Sequence, residues 1–239
     1  MSSGMAPTQK PRISCFVTGT DTGVGKTLIA SALLRALGRR GLRAAAMKPV
    51  AAGALLQDGI WRNEDVQQLA AAANVTVPRN ILCPYELPQA LAPHIAAELA
   101  GIRLELPTIV GAYQRLCAQA DAVIVEGVGG FRVPLSPDFD TADLACELQL
   151  PVVLVVGLRL GCLNHAALTG EAIVARGLRL LGWVANCIDP HMAQRERNIA
   201  TLRDLLPAPC MGSVPWMHPG QGDQTAEHLD VAALCDAGL

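Results

Sequence analysis

A chain of 239 residues, 51% apolar and 17% charged, is long enough to bury the core of one doubly wound domain and too apolar to be disordered over most of its length. Its formal net charge of −2 and pI near 6.2 provide no field that gathers nucleic acid or anionic lipid, so any phosphate binding has to come from a local site. No apolar run reaches membrane-spanning length, residues 1–12 lack the apolar stretch of a secretory signal, and the eight cysteines show no CxxC pair or paired spacing for zinc or disulfides, which together point to the cytoplasm and to reduced thiols.

Met5 follows closely on Met1, so residues 1–12 read as a disordered N-terminal extension and 13–239 as a single domain. Ile13–Thr18 is a short apolar strand ending in a glycine-rich turn. Lys26–Arg40 then places Leu28, Ile29, Ala32, Leu33, Ala36 and Leu37 at helical spacing, Gly41 closes it, and Arg43–Lys48 is a second strand stopped by Pro49. A helix is expected over Asn63–Ala73, an irregular stretch over Thr76–Pro93 with its four prolines, and a helix over Leu106–Gln119. Asp121–Glu126 reads as a buried strand that ends in a carboxylate and glycines. Strands at Pro151–Val156, Leu180–Asn186 and Cys210–Val214 then alternate with helices at Asn164–Arg176, Ala193–Leu206 and Ala226–Cys235. This alternation predicts an α/β fold with a doubly wound, mostly parallel sheet and helices on both faces.

Between the first strand and first helix lies Gly19-Thr20-Asp21-Thr22-Gly23-Val24-Gly25-Lys26-Thr27-Leu28, the context a phosphate loop requires. Glycines let successive backbone N–H groups point inward and the helix N-terminus adds positive potential. Lys26 reaches the outer phosphates and the Thr27 hydroxyl suits Mg²⁺. The loop is one residue longer than the common form, because five residues separate Gly19 from Gly25.

Three further residues are candidates for the same site. Glu126 ends a buried strand beside Gly127, Gly129 and Gly130, which favours a metal ligand over a turn carboxylate. Asp65 on its own reads as a helix N-terminal charge. Lys48 fits either a solvated strand end or a cation stabilising a transferring phosphoryl group.

Together the motifs resemble the dethiobiotin synthetase family: Phe16 to Thr27 with its longer loop, Lys48-Pro-Val-Ala-Ala-Gly53, Pro93-His94, Val125-Glu-Gly-Val-Gly-Gly130, Gly161-Cys-Leu-Asn-His165 and Gly182-Trp-Val-Ala-Asn186. The likeness runs in order from about Ile13 to Trp216 and implies a cytoplasmic ligase of biotin synthesis. In that reaction 7,8-diaminopelargonate, CO₂ and ATP give dethiobiotin, ADP and phosphate through a carbamate and a carbamic-phosphoric anhydride. Under the resemblance Lys26 and Lys48 stabilise the reacting charge, and Thr27, Asp65 and Glu126 hold Mg²⁺. The nucleotide lies on Thr22 to Leu28 and on Glu126, Gly127, Val128 and Gly129, with Asn186 and Cys187 at the adenine and Pro215, Trp216 and Met217 along the base. Lys48 and Ala52 face the diamine, whose far carboxylate is taken by Gly161, Cys162, Leu163 and Asn164 of a neighbouring subunit, so a homodimer with shared sites is implied. Two positions depart from the pattern: Gly23 stands where some members carry Glu, and Ala52 where Ser or Thr often meets substrate.

Two other readings share the loop. A partner-regulated switch ATPase of the division or partition type carries a signature lysine where Asp21 stands, and its membrane-binding members end in a basic amphipathic helix, whereas Ala226–Cys235 has no Lys or Arg. A related synthetase of cofactor biosynthesis that activates a carboxylate would share the phosphoryl step, but a self-contained amidotransferase needs a glutaminase domain that this length does not accommodate.

Overall fold

The computed structural model describes residues 13–218 and 222–236. The extension expected over residues 1–12 lies outside them. Six strands form one parallel sheet in the order β10-β9-β8-β1-β7-β2: β1 (Ile13–Gly19), β2 (Ala44–Met47), β7 (Ala122–Glu126), β8 (Val152–Leu158), β9 (Leu180–Cys187) and β10 (Cys210–Val214). Strand β1 lies between β8 and β7, so the chain winds outward from it in both directions, and that reversal opens a crevice at the carboxyl ends of the strands.

Strand alternation explains the layers. Cys15 and Val17 of β1 face one side with α1 (Lys26–Arg39), α2 (Glu64–Ala72) and α9 (Ala232–Asp236). Phe16 faces the other with α5 (Leu106–Cys117), α6 (Thr141–Leu148), α7 (Cys162–Ala175) and α8 (Arg195–Leu205). Burying a side chain such as Phe16 or Leu33 contributes about 1.5–3 kcal/mol, and both faces carry many. Cys15, Cys83, Cys117, Cys162 and Cys187 are buried, and burial pushes the Cys15 and Cys83 thiols up to about 12.

The middle of the chain is more ordered than its prolines suggested. Val50–Ala52 (β3) pairs in parallel with Tyr85–Leu87 (β6), Leu55–Gln57 (β4) forms a hairpin with Ile60–Arg62 (β5), and Arg79–Leu82 (α3) is a single helical turn. Pro93 begins α4 (Pro93–Leu99) instead of ending a loop, since a proline at the first helical position loses no hydrogen bond. Helix α6 has no counterpart in the sequence reading, although Asp140 and Asp143 form a reciprocal capping box at its start.

The closing helix expected over Ala226–Cys235 is not continuous. A 3-10 segment covers Gly222–His228, Leu229 then bridges to Gly212, and α9 begins only at Ala232. The edge of the sheet thus takes Leu229 out of the helix. No helix among the described residues is long and apolar enough to cross a membrane.

Candidate active site

The first turn of α1 is built to meet an anion. Its cap is Gly25 at φ 91°, with no side-chain cap and no acidic residue in the first turn, so the positive end of the helix stays open. A second helix shows the contrast: α2 has Asn63 accepting from Val66 N–H, with Glu64 and Asp65 in its first turn.

The loop before α1 is held in shape by its own protein. Asn186, buried at the end of β9, donates from Nδ2 to the Val24 carbonyl at 2.8 Å. Lys26 Nζ donates to the Asp21 carbonyl at 2.9 Å. The Asp21 carboxylate accepts from Thr22 N–H at 2.7 Å and pairs with Arg159 Nη2 at 2.5 Å. Arg159 had no signal in the sequence, since it stands 138 residues from its partner.

The polar centre forms where β2 and β7 end. Lys48 Nζ lies 2.5 Å from Glu126 Oε1, 3.2 Å from Asp65 Oδ2 and 3.2 Å from the Gly127 carbonyl. Thr27 Oγ1 donates to the same Glu126 Oε1 at 2.9 Å. Lys48 and Glu126 are buried and Asp65 is half exposed. Burial pulls the Lys48 pKa down, but the charges of Glu126 and Asp65 and their hydrogen bonds outweigh it, so the ammonium is held above its ordinary range. Lys26 behaves oppositely. Burial, then repulsion from Lys48, lowers it to about 8 against the pull of Glu126, Asp65 and Asp21.

A cleft of 760 Å³ opens over this centre. Of the nucleotide set read from sequence, Thr22, Gly23, Gly25, Lys26, Thr27, Leu28, Glu126, Val128 and Gly129 line it, as do Lys48, Asp65 and Ala52. Gln68 and Val133 also line it and were not foreseen, although Gln68 follows Asp65 at i+3 on α2. Val24 instead packs into the core, and Gly127 contributes its carbonyl to Lys48. Asn186 lies behind the loop, Cys187 is buried with its thiol on the Asp189 carbonyl, Pro215 and Trp216 are exposed, and Met217 packs on the core cluster that also receives Leu28.

Residues 161–164 do not line the cleft of their own chain. Gly161 caps α7 at φ 95°, Cys162 is buried with its N–H donating to the Arg159 carbonyl at 3.0 Å, Leu163 is half-buried and Asn164 is exposed.

The residues present fit a Mg²⁺ ion. Glu126 Oε2 is buried without a hydrogen-bond partner, next to the Thr27 hydroxyl, and hard oxygen donors of this kind suit Mg²⁺. No group of three or more His, Cys, Asp or Glu side chains among the described residues could hold a metal by itself, so phosphate oxygens and water would complete the set.

The chain is similar to known proteins along most of its length. Residues 14–223 match a family model described as an AAA domain. The chain is 56% identical, over 93% of its length and 97% of that protein, to the ATP-dependent dethiobiotin synthetase BioD of Ralstonia nicotianae. Among solved structures, it resembles the septum site-determining protein MinD of Pyrococcus horikoshii in complex with Mg-ADP (TM-score 0.56, 18% identity, 95% of this chain and 93% of that one). It also resembles a ParA family ATPase of Chlorobium tepidum (TM-score 0.53, 11% identity, 95% and 97%). At such identities the structural likenesses concern the fold alone, a mostly parallel sheet with helices on its faces.

Proposed function

Because the chain belongs to the family of ATP-dependent dethiobiotin synthetases, we infer that it makes dethiobiotin at the expense of ATP, closing a ureido ring on 7,8-diaminopelargonate with CO₂. The observation that carries the reading is the meeting of two lysines, two carboxylates and a threonine hydroxyl at the open end of α1. In this reading an amine of the substrate takes up CO₂ as a carbamate, whose oxygen attacks the γ-phosphate, releasing ADP and leaving a carbamic-phosphoric anhydride. The neighbouring amine then closes the ring and expels phosphate.

The protein's part is positioning and charge neutralisation. Backbone N–H groups of Gly23 to Thr27 hold the phosphates. Lys26 leaves the Asp21 carbonyl for the β- and γ-phosphates, and Lys48, kept charged by its carboxylates, faces the carbamate and the transferring group. Thr27, Asp65 and Glu126 would hold Mg²⁺, which would neutralise phosphate charge. Asn186 braces the loop through Nδ2 and offers Oδ1 to the adenine amino group, with Cys187 behind it and Pro215, Trp216 and Met217 along the base.

We further propose a cytoplasmic homodimer in which Gly161, Cys162, Leu163 and Asn164 of one subunit take the far carboxylate of a diamine bound at the other. Their position away from their own cleft supports this. Ala52 meets the substrate through its methyl group, without a hydroxyl.

The test is direct. Purified protein with ATP and Mg²⁺ is expected to release phosphate only when diamine and bicarbonate are both present, with dethiobiotin as the product by mass spectrometry. Hydrolysis indifferent to the diamine would refute the assignment.

A further inference from the structure

Helix α2 carries Asp65 into the cleft, yet the chain leading into that helix has no core of its own. Hairpin β4–β5 exposes Leu55, Leu56, Ile60 and Trp61, so apolar packing seats α2 only from Val66 and Leu69 onward and the hairpin adds little to it. The restraint is polar. Glu86 on β6, its side chain 10% exposed, accepts a forked pair of hydrogen bonds from Arg79, at 2.7 Å from Nε and 2.5 Å from Nη2. The same carboxylate accepts the Asn63 backbone N–H, and Arg79 Nη2 also donates to the Trp61 carbonyl at 3.0 Å. Asn63 in turn accepts from Val66 N–H at 3.3 Å and donates from Nδ2 to the Ala52 carbonyl at 3.0 Å. Through one residue, Glu86 is therefore joined to Ala52 and to Val66, the neighbour of Asp65 in the first turn of α2.

We propose that Glu86, clamped by Arg79, is a positioning residue: by anchoring Asn63 it sets the first turn of α2 so that Asp65 meets Lys48 and the ion. The role rests on the reading of Asp65 as a metal ligand. A carboxylate holds an N–H more firmly than a neutral acceptor, and its loss leaves both the Asn63 amide and the Arg79 guanidinium short of a partner. Asp65 is half exposed and 3.2 Å from Lys48 Nζ, one residue ahead of the buried Val66, so the polar anchor acts on the turn just before the packed part of α2. Loss of a residue that orients a metal ligand typically costs about 10–100-fold in metal affinity.

The experiment uses the full chain as wild type, Glu86→Ala, Glu86→Gln and Asp65→Asn. Turnover is titrated with Mg²⁺ at saturating ATP, and hydrogen–deuterium exchange is followed in the peptide spanning residues 62–67. Glu86→Ala is expected to raise half-saturating Mg²⁺ about tenfold while kcat at saturating Mg²⁺ is retained. Exchange at Asn63 and Val66 should quicken in the same variant. Glu86→Gln, which keeps an acceptor but loses the charged fork, should fall between the two. A folded Glu86→Ala with wild-type Mg²⁺ dependence overturns the proposal, whatever its exchange. Should that variant fail to fold, an unshifted Glu86→Gln overturns it instead. Asp65→Asn tells the two readings apart. If that variant keeps wild-type Mg²⁺ dependence, the metal role of Asp65 fails and the positioning role goes with it; if it is shifted while the Glu86 variants are not, only the positioning role fails.

Discussion

Asn186 Nδ2 occupies the space into which a side chain on Gly25 would grow: a Cβ there would come within 2.2 Å of it. With Gly25 at φ 91°, Gly25→Ala meets both this clash and a left-handed backbone that costs roughly 1–2 kcal/mol for an L-residue. Gly25→Ala should lose ATP binding with its fold retained, as read by calorimetry and circular dichroism. ATP affinity near that of wild type would show that the loop can open without harm.

Asn186→Ala removes the brace on the Val24 carbonyl and leaves a buried acceptor unmatched. A loss of about 1–2 kcal/mol, roughly tenfold in ATP affinity, is expected in equilibrium titration. An unchanged Kd would mean that the loop holds its shape alone.

Lys48 and Glu126 are a buried ion pair, so removing one charge strands the other. Lys48→Met is expected to lose turnover and about 3–5 kcal/mol of stability in urea unfolding. The double variant Lys48→Met with Glu126→Gln should recover most of that stability and none of the phosphate release. If the double variant is no more stable than the single one, the loss has another source.

The lowered pKa of Lys26, about 8, carries a defined sign. The triphosphate needs the cation, so ATP affinity is full below about 8 and falls by up to about tenfold per pH unit above it. Lys26→Arg, which stays charged throughout, should flatten that profile even if it binds more weakly. On the unliganded fold the same shift acts the other way. The unfolded chain keeps its proton up to 10.5 while the folded one releases it at about 8, so this residue's contribution to stability rises with pH between those values. An ATP affinity that stays constant from about pH 7 to about pH 9.5 would contradict the assignment.

The proposed sharing of sites between subunits predicts complementation. Lys26→Ala and Asn164→Ala homodimers should each be inactive or badly impaired. After mixing and subunit exchange, roughly a quarter of wild-type activity should appear, because random pairing gives heterodimers with one intact site. No recovery in verified heterodimers would place both residues in the same chain's site.

The parallel sheet and the phosphate loop were legible because period, glycine spacing and strand ends are local signals. Lys26, Thr27, Lys48 and Glu126 fall on strand or helix ends that the pattern located to within a residue or two. Less legible was everything fixed by tertiary contact. Pro93 starts a helix because β6 and the turn after it deliver the chain there, and Leu229 leaves the last helix to bridge Gly212. Two local signals went unused: Asp58-Gly59, at φ 51° and 76°, is a hairpin turn, and the capping box of Asp140 and Asp143 opens α6. The Asp21–Arg159 and Arg79–Glu86 pairs carry no sequence signature, since either partner alone is an ordinary surface charge.

The six-stranded sheet carries the phosphate loop, Lys48 and Glu126, whereas Ala52, Asp65 and Gln68, and with them Ala90 to Pro93, come from small elements outside it. On the proposed roles, the sheet thus supplies the phosphate loop and the buried ion pair, and the small elements supply the acceptor side together with one carboxylate of the metal site. A change within residues 49–93 would therefore reach the acceptor and the metal together, since Asn63 ties Ala52 to the first turn of α2.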